Sequence, residues 1–377
     1  MTFPFDSVGL EEPPALRDLR EREGIRKVAL KTGGEAWLVT RYADVRQVES
    51  DPRFSRAAAT KPGTPTVWPD FQVQQGLLYL DPPDHSRVRK VIAAVFSPRR
   101  IELLAPKVQQ FVDELLDELR PGDDFFAKFA YPLPLKVIAE VLGMPPTDRQ
   151  RFQGWMNVLL DSAQPPEAIG RAFGGVYSYL AQLIETKQPG DDALTALLES
   201  GELRGQELLH NVQSLIFAGA DTTAGMLANG LITLLRHPDQ LSLLRKEPQL
   251  IKSAVEELLR FVPTLVASPA RVATVDVEIG GTVIPKGDSV LTIERSANHD
   301  AAAFDSPERL DITRNPVHLA FGHGPHFCIG AAIARLQLTT ALGTLINKFP
   351  GLRLADEQLE WLPNRILFTV RELRLRW

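Results

Sequence analysis

Hydrophobic side chains recur at three- and four-residue spacing along most of the chain, which is the pattern of helices that bury one face. The stretch 106–119 is a clear example, and Pro106 fits the first turn of such a helix, where its missing N–H costs nothing. Similar patterns predict further helices over residues 135–142, 172–185, 249–261 and 329–349.

The longest helical pattern covers residues 205–237. Roughly thirty helical residues at ~1.5 Å each span about 45 Å, the width of a whole domain, so this helix must run through the centre of the fold. The His237-Pro238 step ends the pattern, because the residue before a proline is disfavoured in the helical conformation.

Strand patterns are few and short. Residues 275–279 alternate apolar and acidic side chains, and the glycine pair at 280–281 predicts a hairpin that returns through 283–284. Residues 36–40 and 290–293 are two other candidate strands. The chain is therefore predicted to be mainly α with a small β-rich part.

Composition narrows the classes of function. The chain has 377 residues, of which 44% are hydrophobic, and a formal net charge of -5. A nucleic-acid-binding protein should be clearly basic. The first residues lack the charged leader and apolar core of a signal peptide, and no uninterrupted apolar stretch reaches the ~20 residues of a membrane-spanning helix. We therefore expect a soluble, cytoplasmic protein.

The most informative segment is a glycine-rich loop, residues 321–330, that contains the only cysteine of the sequence, Cys328, and leads into a strong helical pattern. A thiolate at a helix start meets the positive end of the helix dipole, so we expect the pKa of Cys328 to be lowered. One thiolate without a partner cysteine suits an axial iron ligand in heme better than an iron–sulfur cluster, which needs several thiolates. Two alternatives stay open: a small buried hydrophobic residue, and a less favoured zinc site with His323 and His326, which lacks a fourth ligand.

The middle of the long helix carries the unusual sequence Ala-Gly-Ala-Asp-Thr-Thr, residues 218–223. Asp and Thr compete for backbone hydrogen bonds inside a helix, and Thr222 can donate to the carbonyl of Ala218 four residues back. The small residues beside them would let a flat cofactor approach the backbone. A polar patch on the helix surface is the alternative, although apolar residues surround the segment.

The cysteine loop resembles the heme-binding signature of the cytochrome P450 superfamily, F-x-x-G-x-H-x-C-x-G. The residues that match it are Phe321, Gly324, His326, Cys328 and Gly330. The resemblance covers essentially the whole chain. It implies a single domain over residues 1–377 with the P450 fold, in which heme b lies between the long central helix and the helix after the cysteine loop, with Cys328 as the axial thiolate.

The resemblance also implies roles for residues around the heme. Gly322 and Phe321 would lie beside it in the loop, and Ala218 would contact it from the central helix. Thr222 would hold oxygen and a water above the iron, while Asp221 would relay protons toward them by general acid chemistry. The residues expected at the two propionates are His85, Arg89, Arg271 and His326.

Two other sets of positions follow from the resemblance. Glu257 and Arg260 match a buried structural pair, for which Arg309 would be the third basic partner. The expected substrate contacts are Trp68, Phe71, Ser214, Phe217, Val266 and Ala267. Since this set is apolar or aromatic apart from one hydroxyl, a lipophilic or aromatic small molecule is the expected substrate.

Electrons must come from another protein, because 377 residues leave no room for a fused flavin domain. We expect a ferredoxin with its reductase as the donor, and a monomeric enzyme. A basic docking patch for an acidic partner is predicted from Arg87, Lys90, Arg99 and Arg100.

Several functions are compatible with these features. The intact Asp221-Thr222 pair favours a monooxygenase of secondary metabolism that hydroxylates or epoxidises its substrate with O₂. The same site could instead couple radicals and form C–C or C–O bonds in a natural product. A non-catalytic heme sensor would need no proton relay and usually carries an output domain, and a peroxide-driven enzyme would be expected to lack the Asp–Thr pair.

Overall fold

Helices make up most of the computed structural model, which describes residues 2–5, 9–67, 76–160, 164–262, 264–362 and 367–377. Within these ranges there are thirteen α-helices: α1 Pro14–Arg22, α2 Tyr42–Ser50, α3 Asp84–Val95, α4 Pro98–Glu118, α5 Pro132–Val141, α6 Pro146–Leu160, α7 Pro166–Thr186, α8 Ala193–Ser200, α9 Gly205–Arg236, α10 Pro238–Lys246, α11 Ile251–Phe261, α12 Glu294–Ala297 and α13 Ala331–Lys348. Shorter turns are the 3-10 segments Ala58–Thr60, Leu77–Tyr79, Pro248–Leu250 and Gly324–His326, and the π-helical Phe126–Ala130.

The strands form one larger sheet and two small ones. They are β1 Thr2–Phe3, β2 Ile25–Leu30, β3 Glu35–Val39, β4 Phe54–Ser55, β5 Arg271–Ala273, β6 Val277–Ile279, β7 Thr282–Ile284, β8 Ser289–Thr292, β9 Arg353–Leu354 and β10 Leu375–Arg376. The larger sheet has the order β1-β2-β3-β8-β5-β4, while β6 pairs with β7 and β9 with β10. Strand β5 lies between β8 and β4 and is antiparallel to both, and Arg271 at its first position is buried.

Helix α9 runs through the centre of the helical body. It contributes to the two largest hydrophobic clusters, one shared with α4, α11 and α13 and the other with α3, α5, α7 and α8. By length and composition α9 could cross a membrane, but 67% of its most apolar window is buried inside the molecule. It is therefore a core helix, as its length predicts.

Most of the predicted elements are confirmed within a few residues. Helix α9 ends one residue before the predicted bound, and α5, α7, α11 and α13 overlap their predicted ranges. The hairpin is β6–β7, with Val277 opposite Ile284 and Ile279 opposite Thr282.

The predicted start of the helix over 106–119 is wrong. Helix α4 begins at Pro98, where a proline also fits the first turn, and Pro106 lies inside it. A helix-interior proline loses one hydrogen bond and crowds the carbonyl four residues back, here that of Glu102. Both residues are exposed, so water can reach that carbonyl, and the buried side chains of Leu104 and Val108 on the opposite face keep the helix continuous.

The longest strand, β2, is missing from the predicted set. Its consecutive Arg26 and Lys27 interrupt a simple alternation of apolar and polar residues, although Ile25, Val28 and Leu30 are buried. Five residue pairs with β3 stabilise the strand, which is a long-range effect that the local pattern does not contain.

Candidate functional site

The cysteine loop is held rigidly against helix α2. The Cys328 N–H donates to the carbonyl of Phe321 over 2.8 Å, and the 3-10 turn Gly324–His326 lies between them. Gly324 has φ +68°, and a Cβ there would come within 2.7 Å of the Glu49 carbonyl oxygen. Only glycine satisfies both conditions without a shift of the backbone, which explains its position in the loop.

Cys328 is not a packed core residue, so that interpretation is wrong. Cys328 is exposed. The surrounding protein nevertheless excludes enough bulk water to raise the pKa of its thiol, which outweighs the amide of Gly330 and the charges of Arg89 and Arg335. The predicted lowering of the pKa is therefore wrong for the protein chain on its own.

The zinc alternative has no ligand set in the part of the chain that the structure describes. There, no three or more His, Cys, Asp and Glu side chains are grouped closely enough to hold a metal ion. His326 instead packs against His85, with ring centroids 4.2 Å apart.

Helix α9 has an open face at its middle. Ala218 is exposed and Asp221 and Thr222 are half-buried, although Ile216, Ala220 and residues 223–234 on the same helix are buried. The Thr222 hydroxyl donates to the Ala218 carbonyl over 2.7 Å, as predicted. A Cβ added to Gly219, next to Ala218, would meet no described atom within 4 Å. The exposed side of the central helix at this point is therefore formed by Ala218, Gly219 and Thr222, while one Asp221 carboxylate oxygen is buried.

Tyr131, at the start of helix α5, lies near Asp221 and is missing from the predicted site. Its hydroxyl is buried and has no hydrogen-bond partner among the described residues. Burial and the neighbouring Asp221 carboxylate both raise its pKa, so the phenol keeps its proton. No sequence motif marks this tyrosine, because only the packing of α5 on α9 brings it to Asp221.

A group of buried and half-buried basic side chains lies at another edge of the site, and we refer to Arg56, His85, Arg89, Arg271 and His326 as the cation cluster. Nitrogen atoms of three members are buried without a hydrogen-bond partner among the described residues: Nε and Nη1 of Arg56, Nε2 of His85, and Nη1 and Nη2 of Arg271. A buried charge without a partner costs several kcal/mol. The cluster is therefore built to receive an anionic ligand.

The pKa shifts in the cation cluster come first from burial and then from neighbouring positive charge. Burial and Arg271 lower the pKa of Arg56 to about 9, although the carboxylates of Glu49 and Glu294 oppose the shift. Burial with the neighbouring basic groups lowers the pKa of His326 to about 2, and burial, Arg89 and Arg56 lower that of His85. Carboxylates of a ligand would offset both causes by adding negative charge and hydrogen-bond acceptors.

Arg56 is a second residue that the sequence interpretation missed. Nothing in its neighbourhood distinguishes it from the exposed Arg53 three residues earlier. Only the pairing of β4 with β5 brings it next to Arg271. Arg89 lies at the border of the cluster, where its Nη2 donates to the Phe327 carbonyl over 2.7 Å, and a cavity of about 330 Å³ opens between His85, Arg89, Lys90 and the loop residues Gly324 and Pro325.

The buried Glu257–Arg260 pair is present, but its third basic partner is Arg314. Arg260 donates from Nε and Nη2 to the two Glu257 oxygens, each over 2.8 Å, and both side chains are 0% exposed. The Nε of Arg314 lies 3.2 Å from Glu257 Oε1. The predicted Arg309 points to solvent and contributes only its backbone carbonyl, which accepts from Arg260, because the chain turns between Ser306 and Arg309.

The predicted substrate contacts have different surroundings. Ser214 lies directly against Gly76, whose added Cβ would meet its hydroxyl at 2.7 Å. The ring of Phe217 stacks on that of Phe173 at 6.1 Å. Val266 and Ala267 are buried in a core cluster with residues of β3 and β8. Trp68 and Phe71 lie outside the described residues.

Comparison with known proteins decides which family this site belongs to. A cytochrome P450 sequence profile matches residues 177–368. The chain is 40% identical to nocardicin C N-oxygenase of Nocardia uniformis subsp. tsuyamanensis, over 100% of this chain and 98% of that protein. The chain belongs to the cytochrome P450 family.

Other P450s share this fold, and their names indicate the type of reaction. Mycinamicin IV hydroxylase/epoxidase of Micromonospora griseorubida is 38% identical, over 100% of this chain and 98% of its own length. The crystal structure of the LnmA P450 hydroxylase from the leinamycin biosynthetic pathway of Streptomyces atroolivaceus superposes with a TM-score of 0.90 at 40% identity, covering all of both chains. This P450 therefore has the P450 fold and is a heme-thiolate monooxygenase of the kind found in bacterial secondary metabolism.

Proposed function

We propose that Cys328 is the axial ligand of heme b lying between α9 and α13, and that the enzyme oxidises a lipophilic or aromatic small molecule. The observation that supports this placement best is the cation cluster, because its partnerless nitrogens fit the two propionates of heme. Cys328 is the only cysteine in the sequence, so the thiolate role falls to it. The open face of α9 at Ala218 suits a flat ring pressed against the backbone.

Heme supplies the iron at which O₂ is reduced with two electrons and two protons. In this proposal the protein positions those protons. Thr222 keeps its hydroxyl on the open face of α9 through the bond to the Ala218 carbonyl, and Asp221 beside it delivers protons by general acid catalysis. Tyr131 keeps its own proton, so its hydroxyl can donate a hydrogen bond and would orient the neighbouring Asp221 carboxylate.

The first experiment is a carbon monoxide difference spectrum of the reduced, purified protein. A strongly red-shifted Soret band is expected in the wild type and should be lost in Cys328→Ser. His323→Gln changes the same loop outside the proposed ligands and should keep the band. A band typical of histidine-ligated heme in the wild type would reject Cys328 as the ligand.

The apolar lining supports the proposed class of substrate. Phe173 is 41% exposed and Leu78 is 38% exposed, and both lie next to residues of the central helix, where they could contact an apolar ligand. Leu78 is positioned through Leu77, whose N–H donates to the Asn211 side chain of α9 over 2.9 Å, and Phe173 stacks on Phe217. Both side chains are thus tied to the central helix.

Spin-state titration tests this class of substrate. Lipophilic and aromatic compounds should shift the heme spectrum, whereas charged compounds of equal size should not. Phe217→Ala should weaken the tightest binder by about tenfold through lost aromatic contact, and Val283→Ala, an exposed apolar change on the β6–β7 hairpin, should have no effect. Equal binding of charged and apolar compounds would contradict the proposal.

A ferredoxin remains the proposed electron donor, but the structure changes the expected docking patch. Arg87 is paired with Glu207, and Arg100 lies 3.5 Å from Asp191, so their charges are partly compensated. Lys90 and Arg99 are exposed, and no pairing with a described residue is recorded for either. Lys90 also lines the cavity beside the cysteine loop. We therefore place the electrostatic contribution mainly on these two residues.

Charge reversal tests the docking patch. Lys90→Glu should slow reduction by a plant-type or bacterial ferredoxin at low salt, and added salt should narrow the difference from the wild type. Lys286→Glu, an exposed lysine after the hairpin, is the matched control. Equal reduction rates for the two variants at low salt would reject this surface.

Product analysis separates oxygen insertion from radical coupling. Insertion of one atom from ¹⁸O₂ into the product supports the monooxygenase, whereas a coupled product without the label supports the alternative. A single domain, a monomer and a cytoplasmic location complete the proposal, and sedimentation of the purified protein tests the oligomeric state.

A further inference from the structure

Two buried glutamates lie behind the cation cluster, and the heme-binding role proposed above does not use them. Glu49 is near the end of α2 and Glu294 is the first residue of α12. The Thr292 hydroxyl lies 3.3 Å from Glu49 Oε1 and 2.7 Å from Glu294 Oε1, and the Ser268 hydroxyl donates to Glu294 Oε1 over 2.6 Å. The two carboxyl groups are therefore neighbours that share the Thr292 hydroxyl.

The second oxygens of this pair lack donors. Glu49 Oε2 and Glu294 Oε2 are both buried, and neither accepts a hydrogen bond from a described residue. Two ionised carboxylates at this distance in a buried site repel each other strongly. A single proton held by one of them removes the repulsion and supplies the missing donor, as in other carboxylate pairs that share a site.

The pair sits between the cysteine loop and the cations. Glu49 Oε1 lies 3.6 Å from Nη2 of Arg271, which is 2% exposed and makes no hydrogen bond from either terminal nitrogen to a described residue. The Glu49 backbone packs on Gly324 of the loop. Arg56 and Arg271 face the pair directly, and the titratable groups beyond them are Tyr79, His85, Arg89 and His326.

We propose that Glu49 and Glu294 form a carboxyl–carboxylate pair that holds one proton and positions Arg271, so that heme affinity and heme reduction potential depend on whether the pair is protonated. The inference rests on the proposed place of Arg271 at the propionates. It makes the two glutamates positioning residues rather than catalytic ones, because they would act on heme through a guanidinium group.

The direction of the effect follows from the charges. Burial and the neighbouring Glu49 raise the pKa of Glu294 to about 8. Below that pH the pair carries one negative charge, so two arginines leave net positive charge for the propionates. Above it the second carboxylate competes with the propionates for the guanidinium groups and favours ferric over ferrous iron. Heme should therefore bind more weakly, and its reduction potential should fall, as the pH rises through about 8.

Infrared spectroscopy of the heme-loaded protein tests the proton directly. The wild type at neutral pH should show the C=O stretch of a buried protonated carboxyl, which disappears above the pKa of the pair and is absent in Glu294→Gln. Glu49→Gln is the second variant, in case the first folds poorly, and Glu278→Gln, an exposed carboxylate on β6, should retain the band. Absence of the band in the wild type overturns the pair.

Spectroelectrochemical titration and heme transfer to apomyoglobin test the coupling. In the wild type the reduction potential should fall with rising pH, and heme release should speed up by about tenfold for each pKa unit by which heme binding shifts the pair. Both dependences should be lost in Glu294→Gln and kept in Glu278→Gln. Equal pH dependence in the wild type and Glu294→Gln would overturn the coupling. If the purified protein bound no heme, the proposed function would be wrong. The infrared band would then still show whether the two glutamates share a proton.

Discussion

Two buried charge clusters of this P450 differ in how their polar atoms are satisfied. In the first, which we call the Glu257 cluster, Arg260 donates to both Glu257 oxygens and to the carbonyls of Asn298, Pro307 and Arg309. In the cation cluster, nitrogens of three members have no partner among the described residues. The residue types are similar and the burial is comparable, but one cluster is complete and the other is not.

This difference separates a structural role from a ligand-binding role. A buried ion pair with every hydrogen bond made holds its elements together, and its loss exposes an uncompensated charge. A buried cation without a partner destabilises the chain by itself and is tolerated because a ligand compensates it. The Glu257 cluster should therefore respond to mutation through stability, and the cation cluster through heme binding.

Removing Glu257 should have the largest effect. Glu257→Ala leaves the fully buried Arg260 without its counter-charge, which should lower the free energy of unfolding by about 3–5 kcal/mol. Urea unfolding followed by circular dichroism measures it, with and without heme. Arg314→Ala should cost less than Glu257→Ala, and Arg309→Ala, whose side chain is exposed, should change stability little. A larger loss for Arg309→Ala than for Arg314→Ala would contradict the assignment of Arg314.

Removing Arg271 should affect stability much less. Arg271→Leu removes a guanidinium whose terminal nitrogens make no hydrogen bond to a described residue and whose ion pair with Glu49 is long, at 3.6 Å, so the heme-free protein should lose far less stability than Glu257→Ala does. Heme affinity should fall by about ten- to a hundredfold, because a charge-assisted hydrogen bond to a propionate is worth about 1.5–3 kcal/mol. Heme transfer to apomyoglobin and urea unfolding of the heme-free protein give the two values. Equal destabilisation in both states would remove the distinction between the clusters.

The sequence predicts the Glu257 cluster and the cation cluster unequally. Helical periodicity and the motifs predict α9, α13, the cysteine loop and the Glu257–Arg260 pair, because all of these depend on residues close together in the chain. Arg56, Tyr131, Glu49 and Glu294 have no such local signal. They reach the site through the pairing of β4 with β5 and the packing of α2, α5 and α12, which are contacts between distant parts of the chain.

A motif match also fails to predict a side chain's contacts where the local backbone conformation directs that side chain elsewhere. Arg309 occupies the position that the motif indicates, but the turn at Ser306, with φ 45°, directs its side chain to solvent. The expected lowering of the Cys328 pKa is wrong for a similar reason. The dipole argument considers only the start of the helix, whereas the loss of bulk water around the thiol raises the pKa. In both cases a local rule is outweighed by the surroundings that the fold creates.

Acid should destabilise the heme-free protein through His326. Its pKa is lowered from 6.5 to about 2, so the folded state keeps the ring neutral while the unfolded chain takes up a proton. Stability is therefore present above about pH 6.5 and is lost as the pH falls. His326→Gln should remove about 1–2 kcal/mol of the loss between neutral pH and about pH 5.

Bound heme should reduce this loss of stability in acid. Propionates next to His326 would favour its protonated form, so the heme-loaded wild type should lose less stability in acid than the heme-free protein. Urea midpoints at several pH values measure both states. His323→Gln, in the same loop outside the cation cluster, is the comparison; burial lowers the pKa of His323 too, but less strongly, so its effect on the acid response should be smaller. An unchanged acid response in His326→Gln would show that His326 is not responsible.

A small effect on stability is expected at Thr222, where mutation tests whether a hydroxyl that is already hydrogen-bonded also takes part in the reaction. Its hydroxyl already donates to the Ala218 carbonyl, so it needs no ligand, and Thr222→Val should change the free energy of unfolding by less than about 1.5 kcal/mol. Proton delivery should suffer far more, with several-fold less product per electron consumed, because valine cannot hold water or oxygen on the open face of α9. Thr222→Ser keeps the hydroxyl and should retain most of the coupling. The ratio of product formed to electron donor oxidised is measured for the wild type and the two variants. An unchanged ratio in Thr222→Val would mean that the hydroxyl only caps the Ala218 carbonyl within the helix.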